Sequence, residues 1–291
     1  MPADSKDLLA TVETGISKLA QEMSGGKSGN FLRYLEFASQ FHSYSLHNQW
    51  LIWMQKRDAT RVSGYRTWLK LGRQVRKGEK ALSILAPRTF TANKTKTNDD
   101  GEEVTKSRLA LRFVAVPVFD ISQTDGADIP TWVSDAPDGE GDADLLAKLT
   151  KAAQGWGYTV SYKQSLGDGV NSGETMGYAT SENEIALREG VSQRRSFLTL
   201  IHEVAHLLCG HLDLGKRHTF TKQDRELQAE AVAYVVAHHF GIHHQDAADY
   251  LLSYRVNQEQ LTSNLTAVNK VVKQIVTALE GSAEMQTQVA A

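Results

Sequence analysis

Residues Phe197 to His211 read FLTLIHEVAHLLCGH. Leu198, Ile201, Ala205 and Leu208 recur at helical spacing and predict an amphipathic helix, yet His202, Glu203 and His206 interrupt it with polar groups that a core helix has no use for. Histidines four apart leave a helix on one face, one turn apart. Both imidazoles can therefore converge on a single cation, with Glu203 beside them.

Neutral imidazoles suit zinc, and a catalytic zinc site takes three protein ligands while its fourth position stays open for water. Glu203 then reads as the general base of a zinc metallopeptidase, taking a proton from the attacking water and returning it to the leaving amine. The third ligand lies elsewhere. The pattern HExxHxxGxxH would need glycine at Cys209 and histidine at Leu212, and Gly210 and His211 each fall one place out of register. Downstream, Asp224 to Phe240 (DRELQAEAVAYVVAHHF) predicts a second helix with Glu226 and Glu230 one turn apart and Gly241 as its stop. A glutamate from a following helix is the gluzincin solution, so Glu226 and Glu230 are candidates, with His211 behind them.

The wider composition sets limits. With 291 residues, 41% hydrophobic and 23% charged, the chain is expected to be globular and long enough for two domains. Its single cysteine, Cys209, excludes an internal disulfide framework and reads as a small buried hydrophobe. Met1 to Leu9 has neither the basic start nor the apolar run of a signal peptide, and no apolar stretch approaches membrane-spanning length. The expectation is a soluble, cytoplasmic protein without a membrane partner. The net charge of −2 hides an asymmetry. From Lys56 to Lys96, twelve basic residues face only Asp58 and Glu79, a local balance of +10. From Asp120 to Asp144 there are eight acidic residues and no basic one, with Pro130, Pro137, Gly139 and Gly141 among them. The first block reads as a polyanion-binding surface and the second as a solvated linker. This predicts a first domain over 1–130, an acidic linker over 131–143 and a second domain over 144–291.

Within the first domain, Lys6 to Met23 and a longer, aromatic-rich region from Phe31 to Gln55 have helical spacing. Tyr65 and Trp68 then stand beside Arg66 and Lys70, and glycines bracket the basic turn Gly72 to Lys80. Leu82 to Ala86 and Leu109 to Phe119 read as strands separated by a mobile, polar, charged hairpin of roughly twenty residues. Aromatics interleaved with cations beside a strand platform suit single-stranded nucleic acid: cations neutralise phosphates, and ring faces stack on unpaired bases at ~1–3 kcal/mol each. The second domain reads as a helix (Asp144 to Trp156), a strand (Tyr158 to Tyr162), a glycine-rich turn at Gly167 to Gly169 and a hairpin (Thr175 to Thr180, Glu184 to Leu187) leading into the HEVAH helix. Helices over Asp246 to Tyr254 and Gln258 to Leu279 follow, then a frayed tail. An edge strand of that hairpin could bind an extended peptide by backbone pairing. The fold class is α+β in two domains.

Two resemblances sharpen this reading. Glu230-Ala231-Val232-Ala233-Tyr234 resembles the segment that supplies the third ligand in ImmA/IrrE-like zinc metallopeptidases, which implies His202, His206 and Glu230 as the metal ligands, with Glu226 second and His211 third. Tyr44 to Ile52, Asp58 to Trp68, Gly72 to Lys80 and Phe119 to Thr124 resemble the N-terminal domain of ArdC-type antirestriction proteins. That family couples a single-stranded DNA-binding domain to a zinc metallopeptidase-like domain and protects incoming conjugative plasmid DNA from the recipient's restriction systems. The resemblance implies Zn2+ as cofactor and single-stranded DNA and an unknown protein substrate as partners. The candidate DNA contacts among the aromatic, polar and basic residues of the first domain are Tyr44, Asn48, Trp53, Arg61, Tyr65, Arg66, Trp68, Lys70, Arg73, Arg76, Lys77 and Lys80. The alternative is a DNA-shielding protein whose zinc site is structural. An intact Glu203 favours the peptidase, since a structural zinc site needs no general base.

Overall fold

A computed structural model describes residues 5–97, 103–129, 140–166, 175–215 and 217–281. Among them the chain forms two compact units, one from 5–14 with Trp50–Ala127 and the other from Gly15–Gln49 with residues within Asp128–Val289. The elements begin with helices α1 (Ser5–Ser24), α2 (Gly29–Gln40) and α3 (Leu46–Gln55). The single helical region expected over Phe31 to Gln55 is thus two helices, broken at 41–45, where the Ser45 hydroxyl accepts the Asn48 N–H and starts α3.

In the first unit follow β1 (Val62–Ser63), α4 (Tyr65–Lys70), β2 (Arg73–Val75), β3 (Leu82–Thr97), β4 (Glu103–Asp120) and β5 (Thr124–Gly126). The polar hairpin expected between the two strands continues both of them as strand. β3 and β4 pair antiparallel without a break from Leu82↔Val118 to Thr97↔Glu103, and only 98–102 lie outside the described residues. Thr89, Phe90 and Thr91 are strand formers by type. Consecutive residues over 87–91 are all exposed, so both faces of the ribbon are wet there and polar side chains are tolerated. Asp120 knots this unit together. Fully buried, it accepts the backbone N–H groups of Thr60, Arg61 and Ser122 at 2.9, 3.1 and 3.0 Å, while Gln123 returns a bond to its own N–H.

The second unit continues with α5 (Glu140–Gly155), β6 (Thr159–Lys163), β7 (Gly177–Ala179), β8 (Glu184–Arg188), α6 (Gln193–Leu208), α7 (Lys222–His239), α8 (Gln245–Leu252) and α9 (Gln258–Glu280). Its sheet has the order β6-β8-β7, with β6 parallel and β7 antiparallel to β8, so β7 is an edge. α6 packs on α5, α7 and this sheet, and α7 packs on α9 and α2. Gly15–Gln49, expected with the first domain, groups here because Phe31, Tyr34 and Phe37 of α2 bury themselves in this unit's core, where α2 meets α7. Part of the expected linker is also structured: 140–143 open α5, and buried Asp142 pairs with Arg194 at 2.9 Å, an ion pair that needs the helix in place. Residues 131–139, the Gly167 to Gly169 turn and the tail from 282 lie outside the described residues. No helix among the described residues is long and apolar enough to cross a membrane.

Candidate metal centre and nucleic-acid surface

α6 starts at Ser192, whose hydroxyl accepts the Arg195 N–H, and buries Phe197, Leu200, Ile201, Val204 and Ala205 completely. That orientation turns His202 and His206 toward α7 with Nε2 atoms 3.0 Å apart. Glu226 Oε2 lies 3.8 Å from each of them. These three ligand atoms form a compact group with metal-ligand chemistry. Glu230, one turn further along α7, reaches the opposite side of the first ring, with Oε1 3.3 Å from His202 Nδ1. The sequence reading favoured Glu230 as third ligand; Glu226 is the carboxylate grouped with both Nε2 atoms, while Glu230 faces His202 Nδ1. The physical reason is the two-sidedness of imidazole: a carboxylate bonded at Nδ1 sits behind the ring, away from the lone pair that ligates.

Donor chemistry fits a cation. With Nδ1 facing Glu230, His202 turns Nε2 toward His206 and Glu226. Burial alone would push His202 down, but the carboxylates of Glu230, Glu203 and Glu226 outweigh it and hold it above the ordinary histidine value. Burial pushes His206 down to about 3, with the neighbouring His202 and His211 adding to the effect, so His206 remains a neutral imidazole. Glu203 is nine-tenths buried; desolvation pushes its carboxyl up, and a backbone hydrogen bond from Ala179 on β7 opposes the shift. Gly177 makes that approach of β7 to α6 feasible, since a Cβ there would lie 2.6 Å from Thr199 Cγ2.

His211 is not near the ligand group's open side. It is fully buried, its Nδ1 2.8 Å from His206 Nδ1 and its ring edge-on to Phe220. Cys209 caps α6, and burial pushes its thiol up to about 12, so it is no nucleophile. His42, His239 and Glu280 form a second group of metal-ligating types, but both His239 nitrogens are already used, Nδ1 by Ser39 O at 2.9 Å and Nε2 by Glu280 at 2.8 Å.

The expected DNA contacts divide sharply. Trp68 is sealed in the first unit's core with Nε1 donating to Phe119 O at 2.9 Å, so its ring cannot stack on a base. Trp53 is also buried, with the Arg57 guanidinium 5.0 Å over its ring. Arg73 spends its guanidinium on Thr124, Gly126 and Ala127, which pins β2 to β5. Arg76 bonds Glu79, Asp125 and Ser122 O. Arg61 is half-buried and anchored through its N–H to Asp120. Tyr44 and Asn48 are partly buried residues of the second unit. Exposed in the first unit are Tyr65, Arg66, Lys70, Lys77 and Lys80, together with Arg76, whose guanidinium is already paired. Tyr65 and Lys77 border an open cleft of ≈ 660 Å³ with Gln74, Phe119, Glu79 and Asp125.

Residues 5–119 match the family described as the N-terminal domain of anti-restriction factor ArdC, and residues 163–277 match the IrrE N-terminal-like domain of the M78 peptidases. The chain pairs an ArdC N-terminal domain with an IrrE-like peptidase domain. The metal-free crystal structure of antirestriction protein ArdC from plasmid R388 is similar in fold, with a TM-score of 0.50 and 17% identity over 92% of this chain and 97% of that one. The Mn(II)-bound structure of the same protein gives a TM-score of 0.48. An uncharacterized protein of Bacillus anthracis is 23% identical over 300 residues, covering 92% of this chain; the chain spans about half the length of that curated relative.

Several residues in the ArdC-like blocks prove to be architectural. Asp120 and Gln123 fasten β4 to the loop before β1 and to Lys80 O, and Trp68 fills the core. Gln228 and Asn264, both buried and hydrogen-bonded near the IrrE-like centre, escaped the sequence reading. The signal in the sequence was weak: Gln228 is the one strongly polar side chain in the run Leu227–Ala229 of buried residues on α7.

Proposed function

We propose that this ArdC-like protein is an antirestriction factor that binds single-stranded DNA and carries a zinc metallopeptidase site, protecting incoming plasmid DNA by acting on a protein associated with it. The observation that carries the reading is the convergence of His202 Nε2, His206 Nε2 and Glu226 Oε2, all atoms of metal-ligating type, beside the buried carboxyl of Glu203. Two imidazole nitrogens and a carboxylate oxygen so placed are a ligand set that suits zinc.

His202, His206 and Glu226 would hold the ion, with Glu230 orienting His202. Bound zinc supplies Lewis acidity, lowering the pKa of a water and polarising an amide carbonyl. Glu203 would accept a proton from the water that attacks the amide and deliver it to the departing amine nitrogen. Desolvation raises its affinity for protons, which suits a group that must both take and give one. The free edge of β7 beside Glu203 offers backbone groups for an extended peptide, which would align its amide across the site. For DNA, the exposed set Tyr65, Arg66, Lys70, Lys77 and Lys80 supports stacking and phosphate neutralisation.

Plasmid transfer into restricting recipients tests the whole reading. Wild type should raise transfer, while Glu203→Ala, expected to keep zinc, should lose both protection and cleavage of a recipient protein seen by proteomics. Full protection by Glu203→Ala would refute the peptidase part and favour shielding by DNA binding alone.

A further inference from the structure

The buried face of the IrrE-like centre contains a chain of hydrogen bonds with only one consistent direction. It starts at Asp224, in the first turn of α7, where a carboxylate can only accept. Asn264 on α9 donates its Nδ2 to Asp224 Oδ1 at 2.9 Å. That leaves Asn264 Oδ1 as an acceptor, and Gln228 Nε2 donates to it at 2.7 Å. Gln228 therefore presents its carbonyl Oε1 to His211 Nε2 at 2.9 Å, so the proton of His211 lies on Nε2 and its Nδ1 is a lone pair. The next contact, His206 Nδ1 to His211 Nδ1 at 2.8 Å, is a hydrogen bond only if His206 donates. His206 then carries its proton on Nδ1, and its Nε2 is a lone pair facing His202 and Glu226. Reversing any link would set a carbonyl against a carboxylate or two N–H groups against each other.

We infer that Asp224, acting through Asn264, Gln228 and His211, fixes His206 in the Nδ1–H tautomer and so reserves its Nε2 lone pair for the metal. The inference rests on the metal-site reading given above. All four are positioning residues. His211, Gln228 and Asn264 are only 0%, 2% and 3% exposed, so water cannot substitute for a missing partner and supply an alternative polarity. His202 is served separately, by Glu230 directly. Each ligating imidazole thus has its tautomer set by a carboxylate, one step away for His202 and four steps away for His206.

The test uses full-length protein labelled with 15N-histidine, read by long-range 1H–15N correlation without metal, together with zinc affinity by chelator competition. Wild type should show His206 as a single Nδ1–H tautomer and His211 as Nε2–H. Asp224→Asn is nearly isosteric and only partly buried, but it offers a donor as readily as an acceptor, so the direction is no longer imposed. It should give mixed His206 tautomers and zinc binding weaker by about 10- to 100-fold, the usual effect of losing an outer-shell partner. Adding Gln228→Glu to it should restore both readouts: the amide now at position 224 can donate to Asn264, Asn264 can donate to the carboxylate now at position 228, and that carboxylate accepts from His211. A merely structural role for Asp224 gives no reason for such a rescue. An Asp224→Asn protein with His206 still wholly Nδ1–H would overturn the relay, as would a swap that folds but leaves the tautomers mixed. If wild type takes up no zinc, the metal-site reading fails on its own, and the nitrogen spectra still decide the relay.

Discussion

Replacing Glu226 and Glu230 in parallel separates the two roles that α7 assigns to carboxylates one turn apart. Glu226 Oε2 is 3.8 Å from both Nε2 atoms, whereas Glu230 Oε1 is 3.3 Å from His202 Nδ1. If a four-ligand zinc site is worth ~10–16 kcal/mol, one ligand carries roughly 2.5–4 kcal/mol, so Glu226→Ala should weaken zinc by about 10²- to 10³-fold. Glu230→Ala should cost about 10- to 100-fold, because His202 keeps its lone pair but loses orientation. These ranges touch, so the amide variants decide. Glu230→Gln retains an oxygen that accepts the His202 Nδ1–H and should recover most of the affinity. Glu226→Gln should recover little, since a neutral amide oxygen is a poor partner for zinc beside two imidazoles. Competition with a chromophoric chelator at fixed pH measures all four. Near-wild-type zinc binding by Glu226→Ala, with Glu230→Gln as weak as Glu230→Ala, would return the third-ligand role to Glu230.

Trp68→Ala should destabilise the ArdC-like unit by ~3–5 kcal/mol in chemical denaturation, because the ring is wholly buried, whereas Tyr65→Ala should leave stability nearly unchanged and weaken single-stranded DNA by ~1–3 kcal/mol in a fluorescence titration. Joint replacement of Lys70, Lys77 and Lys80 by Gln should flatten the dependence of DNA affinity on salt, while an unaltered slope would remove them from the phosphate contacts. Gly177→Ala should cost about 1–3 kcal/mol and disturb the Ala179 bond to Glu203, and Thr199→Ser, which deletes the clashing methyl, should reverse the effect on thermal stability; no reversal would mean that β7 is held differently. Burial, aided by nearby His239, pushes His42 down to about 4, so the unfolded chain binds a proton there that the folded one resists; stability present above about pH 6.5 should fall as pH drops toward 4, and acid unfolding of His42→Asn should show a shallower decline.

The helical period alone sets His202 and His206 on one face with Glu203 adjacent, so the core of the centre could be read from three letters and a spacing. Gly241, with φ of 73°, ends α7 where the sequence placed its stop, and the α9 and β7–β8 elements fall close to their expected bounds. These are local decisions, made by backbone geometry and near neighbours. The choice between Glu226 and Glu230 is not local. Both lie on the same face of α7, and only the offset at which α7 packs on α6 determines which meets Nε2 and which meets Nδ1. The same holds for Trp68 and Arg73: composition reports an aromatic and a cation in a basic stretch, but burial removes Trp68 from solvent and bonding to β5 commits the Arg73 guanidinium. Leu82, Ile84 and Val118 announced the buried base of β3–β4, but over 87–91 the ribbon is exposed on both sides and is held by backbone hydrogen bonds rather than by a buried stripe, so its extent could not be read. The Asp224–Asn264–Gln228–His211 chain spans residues 40 positions apart, and its members were chemically ordinary in sequence. Their meaning comes from direction, which exists only once α6, α7 and α9 are packed and water is excluded from between them.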